Sequence, residues 1–144
     1  MGVHAKVFGF CCIDPRFRNA FEQFLESKFG LLPTEYEIKT DAGASREIAL
    51  KTSAGEWLLK NAEIAYQKHG VRTFIFCNHV DCAHYGGSDN FLGFKEESAA
   101  YSEDLKTSAL ILKERLPDIR TLAYVLHSEK AGHDERFIFQ EVAV

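Results

Sequence analysis

Val3-His4-Ala5-Lys6-Val7-Phe8-Gly9-Phe10-Cys11-Cys12-Ile13 alternates polar and apolar residues at first and then turns continuously apolar, with Asp14-Pro15 directly behind it. A run that can be buried on both faces is the pattern of a strand inside a parallel sheet. Asp14-Pro15 then opens a helix, since proline at the first helical position gives up an N–H that has no partner there anyway. Phe17, Ala20, Phe21, Phe24 and Leu25 recur at helical spacing to form one apolar face, and Gly30 supplies the stop. A buried strand that runs straight into an amphipathic helix is the unit of an α/β fold.

The same unit repeats along the chain. Tyr36-Glu37-Ile38-Lys39-Thr40 predicts a second strand, ending in Asp41-Ala42-Gly43-Ala44-Ser45. Ser45 is placed to cap a short helix with Glu47 in its first turn, and Ser53-Ala54-Gly55-Glu56 has the pattern of a capping box. The helix started there is expected to carry Trp57, Leu58, Ala62, Ala65 and Tyr66 inward and to end at Lys68-His69-Gly70. Val71 to Cys77 is the most apolar strand candidate and runs into Asn78-His79. The loop Ala83 to Ser88 is rich in turn formers. A long helix is expected over much of 90–116, halted by Pro117, with Tyr101, Leu105, Ala109, Leu112 and Leu116 on its inner face. Ile119 to Leu126 reads as a fourth strand and Phe137-Ile138-Phe139 as a short last one. The alternation predicts a single three-layer α/β domain over residues 1–144. Its sheet is mostly parallel, in the order 2-1-3-4, with a short extra edge strand.

Composition sets limits on function. The chain's 144 residues, 46% hydrophobic and 26% charged, suit one globular domain with a real core. With a net charge of −4 and no basic face interleaved with aromatics, nucleic acid is not the expected partner. His4 and Lys6 break the first apolar run, which lacks the cleavage site of a signal peptide. Nothing approaches the ~18 consecutive apolar residues of a membrane span. A cytoplasmic protein without a membrane partner is the expectation, and its four cysteines then call for packing, redox chemistry or metal binding rather than a disulfide framework.

Two stretches concentrate the chemistry: Cys12-Ile13-Asp14-Pro15-Arg16 and His79-Val80-Asp81-Cys82. In a sheet of order 2-1-3-4 the first and third strands are neighbours whose connections leave toward opposite faces, and ligands bind in the crevice at their carboxyl ends. Both stretches fall there. Two thiolates and a neutral imidazole suit zinc, and three protein ligands leave a fourth position open, as in catalytic sites. Cys12, His79 and Cys82 are therefore the candidate metal ligands. Cys11 should face away from Cys12, since adjacent strand residues point to opposite sides. Cys77, inside an apolar run, reads as an inert buried thiol. Simpler readings stand beside these: Asp14 before Pro15 suits a helix N-cap, Arg16 a solvated first-turn residue, and His84 an ordinary loop histidine rather than a proton shuttle. Asp81 either braces the site or caps its loop.

At these residues the chain resembles the β-class carbonic anhydrases, which carry Cys-x-Asp-x-Arg after the first strand and His-x-x-Cys after the third. Asp41-Ala42-Gly43-Ala44 is similar to the family's Asn-Ala-Gly segment. The departures are Asp41 for that Asn, Pro15 where Ser is common, Ala83 where Gly is often seen, and a first strand expected almost at Met1 where family members usually carry N-terminal helices. The resemblance implies one Zn²⁺ per chain on Cys12, His79 and Cys82, and hydration of CO₂ to bicarbonate by a zinc-bound hydroxide. It implies Asp14 and Arg16 as the catalytic pair, with Arg16 the latch on a gating Asp14, and a substrate pocket at Ala42, Gly43 and Ala83. It also implies a homodimer or higher homo-oligomer. Hydrolysis of carbonyl sulfide or carbon disulfide, zinc binding without turnover, and thiol redox chemistry through Cys11, Cys12 and Cys82 are the alternatives.

Overall fold

In the computed structural model, which describes residues 2–144, the strands are β1 (Val7–Cys11), β2 (Tyr36–Thr40), β3 (Thr73–His79), β4 (Arg120–Ala131) and β5 (Asp134–Val142). They form one sheet in the order β2-β1-β3-β4-β5. The first four pair in parallel and β5 pairs antiparallel with β4. The helices are α1 (Pro15–Phe29), the short α2 (Arg46–Ala49), α3 (Ser53–His69) and α4 (Phe94–Arg115).

Strand alternation divides the core in two. Val7, Cys11, Ile75, Cys77 and Leu126 point toward Phe17, Phe21 and Leu25 of α1. Phe8, Phe10, Phe74 and Phe76 point the other way, against Leu58, Ala62, Tyr101, Leu105 and Leu112 of α3 and α4. Gly9 allows α1 to lie close on its face, since a β-carbon there would come 2.8 Å from the Phe21 ring. The connection from β1 to β2 therefore runs over one face and the two later ones over the other. The reversal falls between β1 and β3, as expected of the predicted order.

Three expectations need correction. The last strand is not short: β5 spans nine residues, and β4 runs on to Ala131, five positions past Leu126. Beyond the sheet body the two strands form a polar hairpin, closed by Gly132 and His133 with Gly132 at φ 64°. Its exposed residues carry no apolar period to mark them as strand. Trp57 is 59% exposed, because the buried positions of α3 are Gly55, Leu58, Leu59, Ala62 and Ala65 and a residue one step from Leu58 is rotated by about 100° off that face. The α3 cap is Thr52, one residue earlier than the predicted box, and its Oγ1 accepts from Gly55 N at 3.1 Å. No helix among the described residues is long and apolar enough to cross a membrane.

Candidate metal centre

Cys12 follows the last residue of β1, His79 is the last residue of β3, and Cys82 lies three positions on, after Asp81 in the left-handed conformation at φ 58°. All three side chains are buried, and their ligating atoms lie within 4.8 Å of one another. The two sulfurs are 3.9 Å apart. Cys12 arrives from the α3–α4 face of the sheet. His79 shares the strand parity of Cys77 on the opposite face, where its ring stacks on Phe17 of α1 at 4.5 Å.

The imidazole is oriented from behind. His79 Nδ1 lies 2.6 Å from the carbonyl oxygen of Val80, which can only accept, so Nδ1 carries the proton. In the neutral ring Nε2 is then the bare lone pair, and it is buried with no hydrogen-bond partner among the described residues. An orphaned buried acceptor is costly unless something occupies it, and a metal-binding histidine has this arrangement, its second nitrogen held by a carbonyl. The thiols fit as well. A hydrogen bond from Cys82, with further ones from the backbone at Asp14 and Gly43, lowers the Cys12 thiol against its own desolvation. Its partner Cys82 is pushed up, first by that shared hydrogen bond, then by burial and the Cys12 charge. Two sulfurs and one imidazole nitrogen suit zinc.

Asp14 stands at the edge of this group, with Oδ2 3.7 Å from His79 Nε2. It is both the α1 cap, accepting from Arg16 N at 2.9 Å, and the partner of the Arg16 guanidinium, with Nε at 3.1 Å and Nη2 at 2.7 Å. The Arg16 hydrogen bonds hold its carboxyl below the usual carboxylate range despite desolvation. An open cavity of about 460 Å³ lies beside Cys12 and Asp14, walled by Ile13, Pro15, Ala42 and Ala83. Gly43 does not line it but sits behind His84: at φ 75°, it has no β-carbon to meet the His84 ring at 2.6 Å. His84 lines the cavity and is held through Nε2 to Glu47 Oε1 at 2.8 Å. Cys11 is buried on the α1 side and its thiol is pushed up to about 12, chiefly by desolvation, while burial also raises Cys77. The sequence reading missed Phe17 behind His79, Glu47 behind His84, and the contact of Arg16 with Asp81.

A protein-family model described as "Putative carbonic anhydrase" matches residues 4–133. The chain belongs to this carbonic anhydrase family. Among curated proteins, none matches its sequence. Its fold is that of solved β-carbonic anhydrases. Isoform I (TvaCA1) of Trichomonas vaginalis is 14% identical, with 96% of this chain and 85% of that one covered at a TM-score of 0.60. CafA of Aspergillus fumigatus is 12% identical, with 95% and 76% covered at 0.60. A tetrameric β-carbonic anhydrase of Sordaria macrospora is 12% identical, with 99% and 84% covered at 0.52. This carbonic anhydrase-family chain thus keeps the β-class sheet and, at its switch point, a Cys-His-Cys group able to hold a metal.

Proposed function

We propose that the protein is a zinc-dependent lyase that hydrates CO₂ reversibly to bicarbonate. The observation that carries this reading is the bare, buried Nε2 of His79 facing two thiols, with an ionised carboxylate at its edge. Cys12, His79 and Cys82 would hold the ion. Zinc, when bound, supplies Lewis acidity that brings the pKa of a coordinated water from that of bulk water to about 7.

The remaining work falls to this chain's own groups. Arg16 keeps Asp14 ionised and oriented by donating to Oδ2 from Nη2 at 2.7 Å, and the same oxygen, 3.7 Å from His79 Nε2, would accept a hydrogen bond from a water there and aim that water's lone pair. The apolar wall of Ile13, Pro15, Ala42 and Ala83 receives a small nonpolar molecule such as CO₂ and excludes competing water. In the arrangement described, Asp14 is paired with Arg16. Turned away from Arg16, the same carboxylate would close the centre, which makes Asp14 a gate and Arg16 its latch. The open side of the cavity and the tetrameric relative support self-association as a homodimer or higher oligomer. Sedimentation at micromolar concentration tests it, and a clean monomer would refute it.

The deciding experiment is elemental analysis of protein purified anaerobically without added metal, followed by stopped-flow CO₂ hydration. About one zinc per chain, lost in Cys12→Ser, together with turnover well above buffer, is the expected result. Full zinc loading without CO₂ turnover would overturn the reading. Carbonyl sulfide turnover in that same protein would reassign it to hydrolysis of a related molecule.

A further inference from the structure

One side chain ties the two metal-bearing segments together. Arg16 donates from Nη1 to Asp81 Oδ2 at 3.0 Å and from Nη2 to the Asp81 carbonyl at 3.1 Å. Its Nε and other Nη2 hydrogens go to Asp14. The Arg16 side chain is 53% exposed, so packing does little to fix it and its carboxylate partners must. A single exposed ion pair would do this weakly. Here the second partner is itself anchored in the core.

Asp81 Oδ1 accepts from Ser88 N at 3.0 Å, and Asp81 N donates to Glu97 Oε1 at 2.6 Å. Glu97, on α4, is 3% exposed and takes no part in the chemistry proposed above. It also accepts from Tyr101 Oη at 2.6 Å and from Ser88 Oγ at 2.9 Å. A buried carboxylate needs such donors, and these converge on the turn that presents Asp81 at φ 58°. A continuous polar chain therefore runs from α4 through Asp81 and Arg16 to Asp14.

We propose that Asp81 is a positioning residue: backed by Glu97, it fixes the Arg16 guanidinium and through it holds the Asp14 carboxylate beside His79. The inference rests on the proposed role of Asp14 but is tested apart from it. Without the Asp81 carboxylate, Arg16 keeps its bonds to Asp14 and to the backbone carbonyl at position 81 but loses the charged half of its tie to the opposite loop, and the pair is freer to swing together toward solvent.

The test uses Asp81→Asn, which tolerates the left-handed backbone but replaces one acceptor with a donor. Asp81→Gly, which suits the same φ and has no side chain, is the second variant. In ¹⁵N-labelled metal-free protein, the Arg16 Nη1–H resonances, whose donor faces Asp81 Oδ2 and which are assigned by their loss in Arg16→Gln, should exchange with water slowly in wild type and about tenfold faster in either variant. In the zinc-loaded protein, Asp81→Asn should lower kcat/KM for CO₂ by about ten- to hundredfold. Combined with Arg16→Gln, it should cost no more than Arg16→Gln alone, because the two act as one unit. Unchanged Nη1–H exchange in both variants, or a double variant whose loss is the product of the single losses, would overturn the proposal. Absence of CO₂ turnover in wild type would refute the proposed function and leave the resonance experiment to decide the positioning role by itself.

Discussion

Gly55→Ala is a substitution for which helix propensity and packing predict opposite signs. Gly55 is the third residue of α3, and alanine is favoured over glycine inside a helix by about 1 kcal/mol. A β-carbon there would lie 2.1 Å from the Glu47 carbonyl oxygen, 2.6 Å from its carbon and 2.9 Å from Ile48 Cα. Heavy atoms in contact sit at about 3.5–4.0 Å, so the backbone of α2 would have to retreat by about 1 Å or more. That retreat is resisted, because the same carbonyl accepts Thr52 N at 3.2 Å and Ile48 is only 1% exposed. Losing the Thr52 cap costs about 1 kcal/mol, and forced overpacking about 1–3 kcal/mol. Packing wins, and the variant should be less stable by about 1–3 kcal/mol. Urea unfolding of the metal-free protein, followed by far-UV circular dichroism, should show the midpoint falling by about 1 M at a slope of about 1–3 kcal/mol/M. An unchanged or higher midpoint at the same slope would refute the backbone-to-backbone contact of α2 with α3.

Other consequences can be checked separately. Hydrogen bonds from Thr52 and then His84 hold the Glu47 carboxyl below its usual 4.5. A depressed carboxylate stabilises the fold above its unfolded pKa and loses that contribution as pH falls through the folded value. Glu47→Gln should therefore cost about 1–2 kcal/mol at pH 7 and nothing near pH 2, and an equal cost at both would contradict the assignment. Phe17→Leu keeps an apolar side chain but removes the stack on His79, so zinc affinity in a chelator competition should fall about tenfold while the melting temperature of the metal-free protein moves little. Equal affinity in the two proteins would show that Phe17 only fills space. Cys11 and Cys77 are buried with raised thiols, so mass spectrometry after iodoacetamide treatment at pH 8 should find both unlabelled in the folded protein and labelled in urea. Rapid labelling of either in the folded state would refute its burial.

What could be read from the sequence was whatever leaves a local pattern. β1, β3 and β4 show as short apolar runs, α1 and α4 as 3.6-residue periods, and the three candidate metal donors as short motifs where apolar runs end. Size misled where period should have ruled: Trp57 reads as core by its bulk, yet its place one step from Leu58 turns it to solvent. The polar end of the β4–β5 hairpin left no apolar pattern, because exposed strands with polar residues on both sides have no alternation to find; the two-residue turn opening with Gly132 was its one usable sign.

The links that hold the centre are of another kind. Arg16 and Asp81 are 65 positions apart, both charged, one in the first turn of α1 and the other in the loop after β3, and only the pairing of β1 with β3 brings them together. The same pairing explains why this crevice can build a three-donor group at all. Cys12 belongs to the α3–α4 face and His79 to the α1 face, so no single face supplies both. They meet only past the strand ends, where the sheet no longer separates its two sides. Cys82 reaches them because Asp81 adopts φ 58° and turns the chain back, and Asp81 N is held there by a carboxylate buried in α4. The fold thus fixes where the donors converge, while the polar links from Glu97 to Asp14 fix how rigidly the surrounding carboxylate is held. A relative that kept Cys12, His79 and Cys82 but lost Asp81 would be expected to retain its metal and lose the control of Asp14.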